Sequence, residues 1–458
     1  MIKMRIVEPQ PMQAKHSRFV CFMLFGEYGS IIAQQSILAD GIDMNLKKSV
    51  MALAVITYMG TSAAQAGGLW INEYGQPTMG RAGAGEEAGT DDATNVLVNP
   101  AAMSRLQESD LLVSAGVVYS DVEFDVDQGS LLNGTGDGGS AGGPAPIGSA
   151  YYVRPINEAW TVGLALVGLT GAELDYDDDW AGRFQAQYVS IIVIGLIPAV
   201  SYKVTDKFSL GLAVPMMYSD LELDIAVPAA LLPTGEEGKA SIDGDDFQVA
   251  GTLSFMYEFN ERTRIGGRTT SKFDFEYSGN IEATKIGQSV GVDTELTMAA
   301  IARLGLSHDI NEQWSGYATV GWDNWSELGN VQLSTSSGGA ALPRNWKDTY
   351  HYALGADYRM DKTWTLRAGV AYDTSPVSSR NRTADMPMDR QIRLAFGADY
   401  HREDGMKISG SLVYADYGDA KINSSRQPPL IGYQGEYSEN QIWFASVAFN
   451  WPFGGHKR

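Results

Sequence analysis

One cysteine, Cys21, stands in 458 residues, so an intrachain disulfide framework is excluded. No uninterrupted apolar run reaches the roughly 18–20 residues that a spanning helix needs, so the chain does not cross a membrane with helices. Basic residues are in deficit: 34 Lys and Arg stand against 55 Asp and Glu, for a formal net charge of −21. That balance argues against nucleic acid and against an anionic membrane surface as partners, because both attract positive charge. It suits a surface protein whose acidic loops face water and divalent cations. A phosphate-cradling G-x-x-x-x-G-K-[ST] loop is also missing, which leaves no nucleotide-driven step.

What is present is glycine, 51 residues of it, and period-two alternation. In Tyr350, Tyr352, Leu354, Ala356 and Tyr358 every second residue is apolar, with Thr349, His351, Gly355 and Asp357 between them. The pattern resumes in Trp364–Tyr372 and again in Ile392–Tyr400. Such alternation means strands with one apolar and one polar face. Aromatics sit near the strand ends and aliphatic or small residues in the middle, the layout of a lipid-facing band between aromatic girdles. From Ser109 onward fourteen candidate strands follow, near 109–125, 147–155, 158–169, 195–204, 207–226, 244–259, 261–279, 292–308, 313–325, 346–359, 362–373, 389–401, 405–417 and 441–451. Tight and long connections alternate without exception, as periplasmic turns and extracellular loops must in an up-and-down barrel with both termini periplasmic. An even strand number closes such a barrel without an edge. The fold expected is all-β: a 14-stranded antiparallel transmembrane β-barrel over 109–458, in the outer membrane of a Gram-negative bacterium.

The first 108 residues read differently. Residues 1–43 show no pattern and are expected to be an upstream extension from a misplaced start. Lys47-Lys48, the apolar run Val50–Tyr58 and Ala64-Gln65-Ala66 make 44–66 a secretory signal peptide. Residues 67–108 lack alternation and are rich in Gly and Ala, with Asp91-Asp92 placed to cap a short helix at Ala93–Leu97 that Pro100 ends. An apolar, non-strand segment of this length ahead of a barrel is expected to be a plug inside its lumen.

Several stretches resemble the FadL family of outer-membrane transporters for long-chain fatty acids and other hydrophobic compounds. Gly67-Gly68-Leu69-Trp70-Ile71-Asn72-Glu73 looks like the family's mature N-terminus. Gly80-Arg81-Ala82, Gly85-Glu86, Asp91-Asp92-Ala93 and the signature Asn99-Pro100-Ala101 match its hatch. Trp346–Tyr350, Ala353–Gly355, Trp364–Gly369 and Asp373–Val377 match its C-terminal block. The resemblance implies a hatch-gated, monomeric barrel that captures a hydrophobic ligand, passes it to an internal pocket and releases it sideways into the membrane. On that reading Leu69 lies against the pocket, and the third strand kinks at Gly163 or Gly168, since glycine marks bends.

An acyl tail with a carboxylate needs apolar walls and one or two cations. Parity turns Lys347 inward with Thr349 and His351, and the family's carboxylate contact places a ligand-binding lysine there. Arg264, Arg268 and Lys272 share an inner face, opposite in parity to Ile265, Phe273, Phe275 and Tyr277. Arg268 is thereby a second ligand-binding candidate, while Arg303, Arg367 and Arg393 are expected to brace the lumen against Asp357, Asp373 and Asp399. Asp175–Asp179 reads as a solvated acidic loop or, without EF-hand spacing, a calcium loop; no metal site or cofactor is assigned. Ile191–Ile197 and Ala226–Leu232 are either a capture groove or extensions of the fourth and fifth strands. The partners expected are a long-chain fatty acid or other hydrophobic small molecule, with outer-membrane lipid and lipopolysaccharide around the barrel. Neutral alkane or aromatic hydrocarbons are the alternative cargo. A general porin is disfavoured by the plug. A lipid hydrolase is disfavoured because His351, the one histidine well within a strand, faces the lumen and no Ser/His/Asp constellation can be assembled.

Overall fold

The computed structural model describes residues 72–129, 134–229, 235–283, 288–335, 338–424 and 432–453. The extension 1–43, the signal sequence 44–66 and residues 67–71, Leu69 included, lie outside the described residues.

A closed 14-stranded antiparallel barrel is built from β1 (Ser109–Gln128), β2 (Pro144–Pro155), β3 (Trp160–Asp175), β4 (Tyr188–Lys203), β5 (Phe208–Ala213 and Met216–Val227), β6 (Gly238–Val249 and Thr252–Asn260), β7 (Thr263–Thr270 and Phe273–Ala283), β8 (Gln288–Met298 and Ile301–Asp309), β9 (Trp314–Asp323 and Asn330–Thr335), β10 (Gly338–Pro343 and Thr349–Arg359), β11 (Trp364–Asp373), β12 (Gln391–His401), β13 (Lys407–Asp416) and β14 (Gln434–Phe453). The sheet closes where β1 pairs β14, from Ser109↔Phe453 to Gln128↔Gln434. Strands run further toward the long loops than the alternation predicts: β4 begins at Tyr188 and so contains Ile191–Ile197, and β14 begins at Gln434.

The short turns have a shared chemistry. Asn157, Asn260, Asn311 and Asp361 each accept, through the side-chain oxygen, the N–H groups two and three residues on, and Thr205 does the same through its hydroxyl. Polar side chains that imitate a backbone turn in this way reverse the chain without a long loop. The outward faces of the strands carry Leu164, Leu212, Leu253, Leu304, Leu354 and Phe396, all exposed. Aromatic pairs rim this belt at the turn end, Trp160–Tyr202 and Trp314–Tyr358 with ring centroids 4.6 Å apart. Tyr414–Trp443, at 4.8 Å, lies toward the loop end. A continuous apolar belt of this extent belongs in hydrocarbon rather than water.

Facing is inverted on two strands. Phe273, Phe275 and Tyr277 point into the barrel and are buried, contrary to the parity expectation, whereas Lys272 points out and pairs with Asp274 and Glu327. The cause is an opposed pair of ladder breaks, Ser271-Lys272 on β7 and Ala299-Ala300 on β8. Pairing ends at Ile301↔Thr270 on one side and resumes at Phe273↔Met298 on the other. Because strand facing has period two, each break swaps the faces of everything beyond it. Below the breaks Arg264, Arg268 and Arg303 face inward; above them the inner face is Phe273, Phe275, Val292 and Leu296 and the outer face is Asp274, Glu276, Asp293 and Glu295. The breaks therefore mark the height at which the outside of the wall changes from lipid to water. Phe275→Ala should cost about 3 kcal/mol of barrel stability and Glu276→Ala less than about 0.5 kcal/mol, read from urea unfolding of the purified barrel. Equal losses would refute the inversion.

Candidate functional site

Residues 72–108 form no strand. They make single 3-10 turns at Pro77–Arg81, Glu86–Ala88 and Pro100–Arg105 and one α-helical turn, α1 (Asn95–Val98), packed against the inward faces of the barrel. The helical turn begins two residues later than the capping pattern suggests; buried Asp92 accepts the Thr94 N–H (3.2 Å) and pairs with Lys407 of β13 (2.9 Å), while Asp91 is exposed.

Asn99-Pro100-Ala101 fastens this segment to the wall. The Asn99 oxygen accepts the Ala101 N–H (3.0 Å), its amide donates to the Glu87 and Phe255 carbonyls, and Pro100 opens the following turn. Ala101 N–H also donates to Ser254 of β6 (2.9 Å), and its carbonyl accepts from Ser201 of β4 (2.9 Å). Gly211 of β5 permits this approach, since a Cβ there would lie 2.2 Å from the Ala101 nitrogen. At the other side Gly80 abuts Gly397 of β12, and Arg81 pairs with Asp357 of β10 at 3.0 Å while lying over the Tyr317 ring.

Spaces remain inside. Toward the turns, a cavity of about 550 Å³ is polar, with Arg81, Asp92, Asp357, Arg367, Asp399 and Lys407 in its lining. Higher up, an apolar cavity of about 30 Å³ is bounded by Tyr74, Val96, Leu97, Ile197, Met217 and Phe273, with Asn72, Arg268 and Arg303 on its edge. That volume is about one water molecule's share of the liquid, so this state is closed around the cavity. The loop end is covered by a buried aromatic cluster: Trp180 stacks on Tyr176 at 4.0 Å and meets Phe124 and Tyr433 edge-on.

The arginines divide by how closely an acid or carbonyl meets them. Arg303 makes two bonds to Asp323, Arg367 pairs with Asp399 and Asp357 although its Nε and one terminal nitrogen stay without a hydrogen bond, and Arg264 donates to the Ala88 carbonyl (3.0 Å). Arg268 is different. Its guanidinium reaches only the Leu97 carbonyl at 3.4 Å and Glu86 at 4.0 Å, and its buried Nε has no hydrogen-bond partner. Lys347 is exposed, in the interruption of the β10 ladder between Pro343 and Thr349, so strand parity does not carry back to it. On β3, Gly163 marks a close approach, where a Cβ would lie 2.5 Å from Val96, and the register shifts instead just after Gly168. Pairing of β3 with β2 stops at Ser149↔Val167, so the wall is unpaired on that side from Gly168 until the Asp175 N–H donates to the Ala141 carbonyl (2.9 Å). Sequence reasoning missed Glu73, which lies buried 3.1 Å from Arg393, although it closes the Asn72-Glu73 stretch of the matched N-terminus.

Such a barrel, belted for lipid and filled by its own N-terminal segment around a closed apolar cavity, is a membrane-spanning β-barrel built to handle apolar molecules rather than to pass water. The chain belongs to the family of outer membrane transport proteins described as OMPP1/FadL/TodX, whose model matches residues 57–453. It is 26% identical over 444 residues to the long-chain fatty acid transport protein of Escherichia coli O6:H1, covering 88% of this chain and 98% of that one. Outer membrane protein P1 of Haemophilus influenzae is 26% identical over 414 residues, with 80% and 89% covered. Among solved structures, a Pseudomonas aeruginosa FadL homologue superposes with a TM-score of 0.77 at 21% identity, covering 84% of this chain and 99% of that one. The toluene transporter TodX of Pseudomonas putida gives 0.62 at 18% identity, with 84% and 99% covered. The protein is an outer-membrane transporter and not an enzyme.

Burial and the neighbouring Glu87 push the Glu86 carboxyl from 4.5 up to about 7, against the pull of Arg268. Between about pH 4.5 and 7 the folded protein therefore holds a proton that the unfolded chain has lost, and stability falls as pH rises through that window. Amide exchange over 83–90, corrected for its intrinsic pH dependence, should speed up between pH 5 and pH 8. Glu86→Gln should remove that difference, and a difference that survives the substitution would place its origin elsewhere.

Proposed function

We propose that the protein carries long-chain fatty acids, or closely similar amphiphiles, passively across the outer membrane. The observation that carries this reading is Arg268: an inward guanidinium with an unmatched donor at the edge of an apolar cavity. Apolar walls take the tail, and a cation with spare hydrogen-bonding capacity orients the carboxylate. The names of the relatives in Escherichia coli and Haemophilus influenzae, outer-membrane proteins with one named for fatty-acid transport, agree with it.

In this reading residues 44–66 direct export, 67–108 are the hatch and 109–458 the barrel. The turn end faces the periplasm, with both termini, and the exposed Lys347 meets carboxylates at the outer mouth. Leu69, three residues before Asn72, gates the cavity. Release is sideways, at the unpaired margin of β3 above Gly168, because the way down leads through the ion pairs of the polar cavity. An acyl chain is more stable in the bilayer than among those charges. The closed sheet leaves no edge that needs a second copy, so the barrel works as a monomer surrounded by outer-membrane lipid and lipopolysaccharide.

Cells that lack their own carrier should take up labelled oleate when they express this protein. Arg268→Gln should lower the affinity of the purified barrel for oleate about tenfold, the loss of one charge-assisted contact. Uptake of hexadecane or toluene without oleate would keep the fold and replace the cargo with neutral hydrocarbon. Passage of small sugars would make the protein a porin.

A further inference from the structure

The first described residues are held by one buried ion pair. Glu73, 3% exposed, lies 3.1 Å from the Nε of Arg393, which is 2% exposed. Arg393 also pairs with Asp373, which in turn meets His351 at 2.8 Å, and donates to Gln391 at 2.5 Å. The Glu73 contact is electrostatic without hydrogen-bond geometry, so the Nε donor stays unmatched in a site with almost no solvent. One residue on, the chain is held differently: the Tyr74 carbonyl accepts from Ser149 (2.7 Å) and Ser114 (3.3 Å) on β2 and β1. Tyr74 is therefore a neutral pivot. Ahead of it the described holds are the Glu73–Arg393 pair and the bond from Gln76 to the Asn72 carbonyl (2.6 Å).

Asn72 stands between two cavities. It lines the apolar one that Arg268 edges, and it lines a second of about 20 Å³ that Arg393, Asp373 and Gln391 edge; Arg303 also borders both. Arg303 is held by Asp323, so the other cations that a ligand head would meet along this path are Arg393 and then Arg268.

We propose that Arg393 is a carboxylate station that the protein's own Glu73 occupies at rest, and that the ligand's carboxylate displaces Glu73 and thereby releases the N-terminal end of the hatch. This rests on the fatty-acid reading above and names the ligand class: a carboxylate on an apolar tail. The exchange swaps one monoanion for another, so the buried guanidinium keeps two anions beside it, the newcomer and Asp373. A neutral hydrocarbon has no anion to offer in place of Glu73 and so cannot drive the exchange. Once Glu73 leaves, Asn72 swings about Tyr74 and the two cavities join, which opens the way to Arg268.

The test compares oleate with methyl oleate, which has the same tail and no charge, on the purified barrel. Glu73→Gln removes the competing charge and leaves Arg393 paired with Asp373, so folding is not at risk. It should tighten oleate binding about fivefold to tenfold and leave methyl oleate unchanged. On the unsubstituted protein, oleate but not methyl oleate should accelerate cleavage after Glu73 by a glutamate-specific protease, read by the mass of the N-terminal fragment. An unchanged oleate to methyl oleate ratio in Glu73→Gln, or cleavage accelerated equally by both, would overturn the exchange and leave the transport reading standing. If the unsubstituted protein binds neither, the transport reading fails and the exchange with it.

Discussion

Everything in this molecule depends on satisfying backbone hydrogen bonds where no water can reach them. In hydrocarbon, each unpaired N–H or C=O costs several kcal/mol, so a sheet crosses a bilayer only if it has no edge. The long β1–β14 seam meets that demand, from Ser109↔Phe453 at the turn end to Gln128↔Gln434 beyond the belt. On β3 above Val167 the wall is less than fully paired, beside the register shift after Gly168. The sideways exit proposed above uses that gap, in keeping with the tendency of strand irregularities to gather at sites of action.

Closure creates a second problem, a lumen that must be filled. Two kinds of filling share it. Near the turns, basic and acidic side chains of the strands and of residues 72–108 pair with one another, as in Arg81–Asp357, Lys407–Asp92 and Arg367–Asp399. Higher up, the opposed breaks at Ser271-Lys272 and Ala299-Ala300 turn Phe273, Phe275, Val292 and Leu296 inward. The inversion does two jobs with one device. It gives the wall above the belt a charged outer face suited to water, and it gives the lumen at that height an apolar inner face suited to a hydrocarbon tail. Arg268 and Arg303 sit just below the change of face, where a molecule with a polar head and an apolar tail meets both environments.

The strands, their number and the alternation of short and long connections were legible because period-two patterning survives any twist of the barrel. The inversion was not. A two-residue ladder break looks in sequence like uninterrupted alternation, and only the pairing partner reveals it, so Phe273, Phe275 and Lys272 were assigned to the wrong faces. Lys347 was misjudged for a related reason: parity was carried into the interruption of the β10 ladder between Pro343 and Thr349. Asn99-Pro100-Ala101 could be recognised as a motif, but its physical purpose could not, since the groups it binds, Ser201, Gly211, Ser254 and Phe255, lie on three strands far along the chain. Glu73 was hidden for the same reason. A lone glutamate near an N-terminus says nothing until Arg393, 320 positions later, is brought against it.

The inner segment is held unevenly, and that unevenness separates its parts. From Asp92 to Ala101 it is tied by a buried ion pair and by a net of backbone and side-chain hydrogen bonds to β4, β6 and β13, with glycine at the point of closest approach. Such a net is worth little per bond when every group exchanges its partner for water, but it is expensive to break piecemeal in a dry site. Its members therefore move together or stay. Residues 72–74 hold by fewer contacts, and one of these is an ionic pair whose geometry leaves a donor unmatched. Local opening is drawn from the weakly held end of a structure. The fold thus places its most weakly held residues directly beside its apolar cavity and its most firmly held ones against β4, β5 and β6. A segment held in this way can open at its N-terminal end while Asn99-Pro100-Ala101 keeps the lumen filled, which is how a barrel can admit an apolar molecule without ever becoming a pore for water.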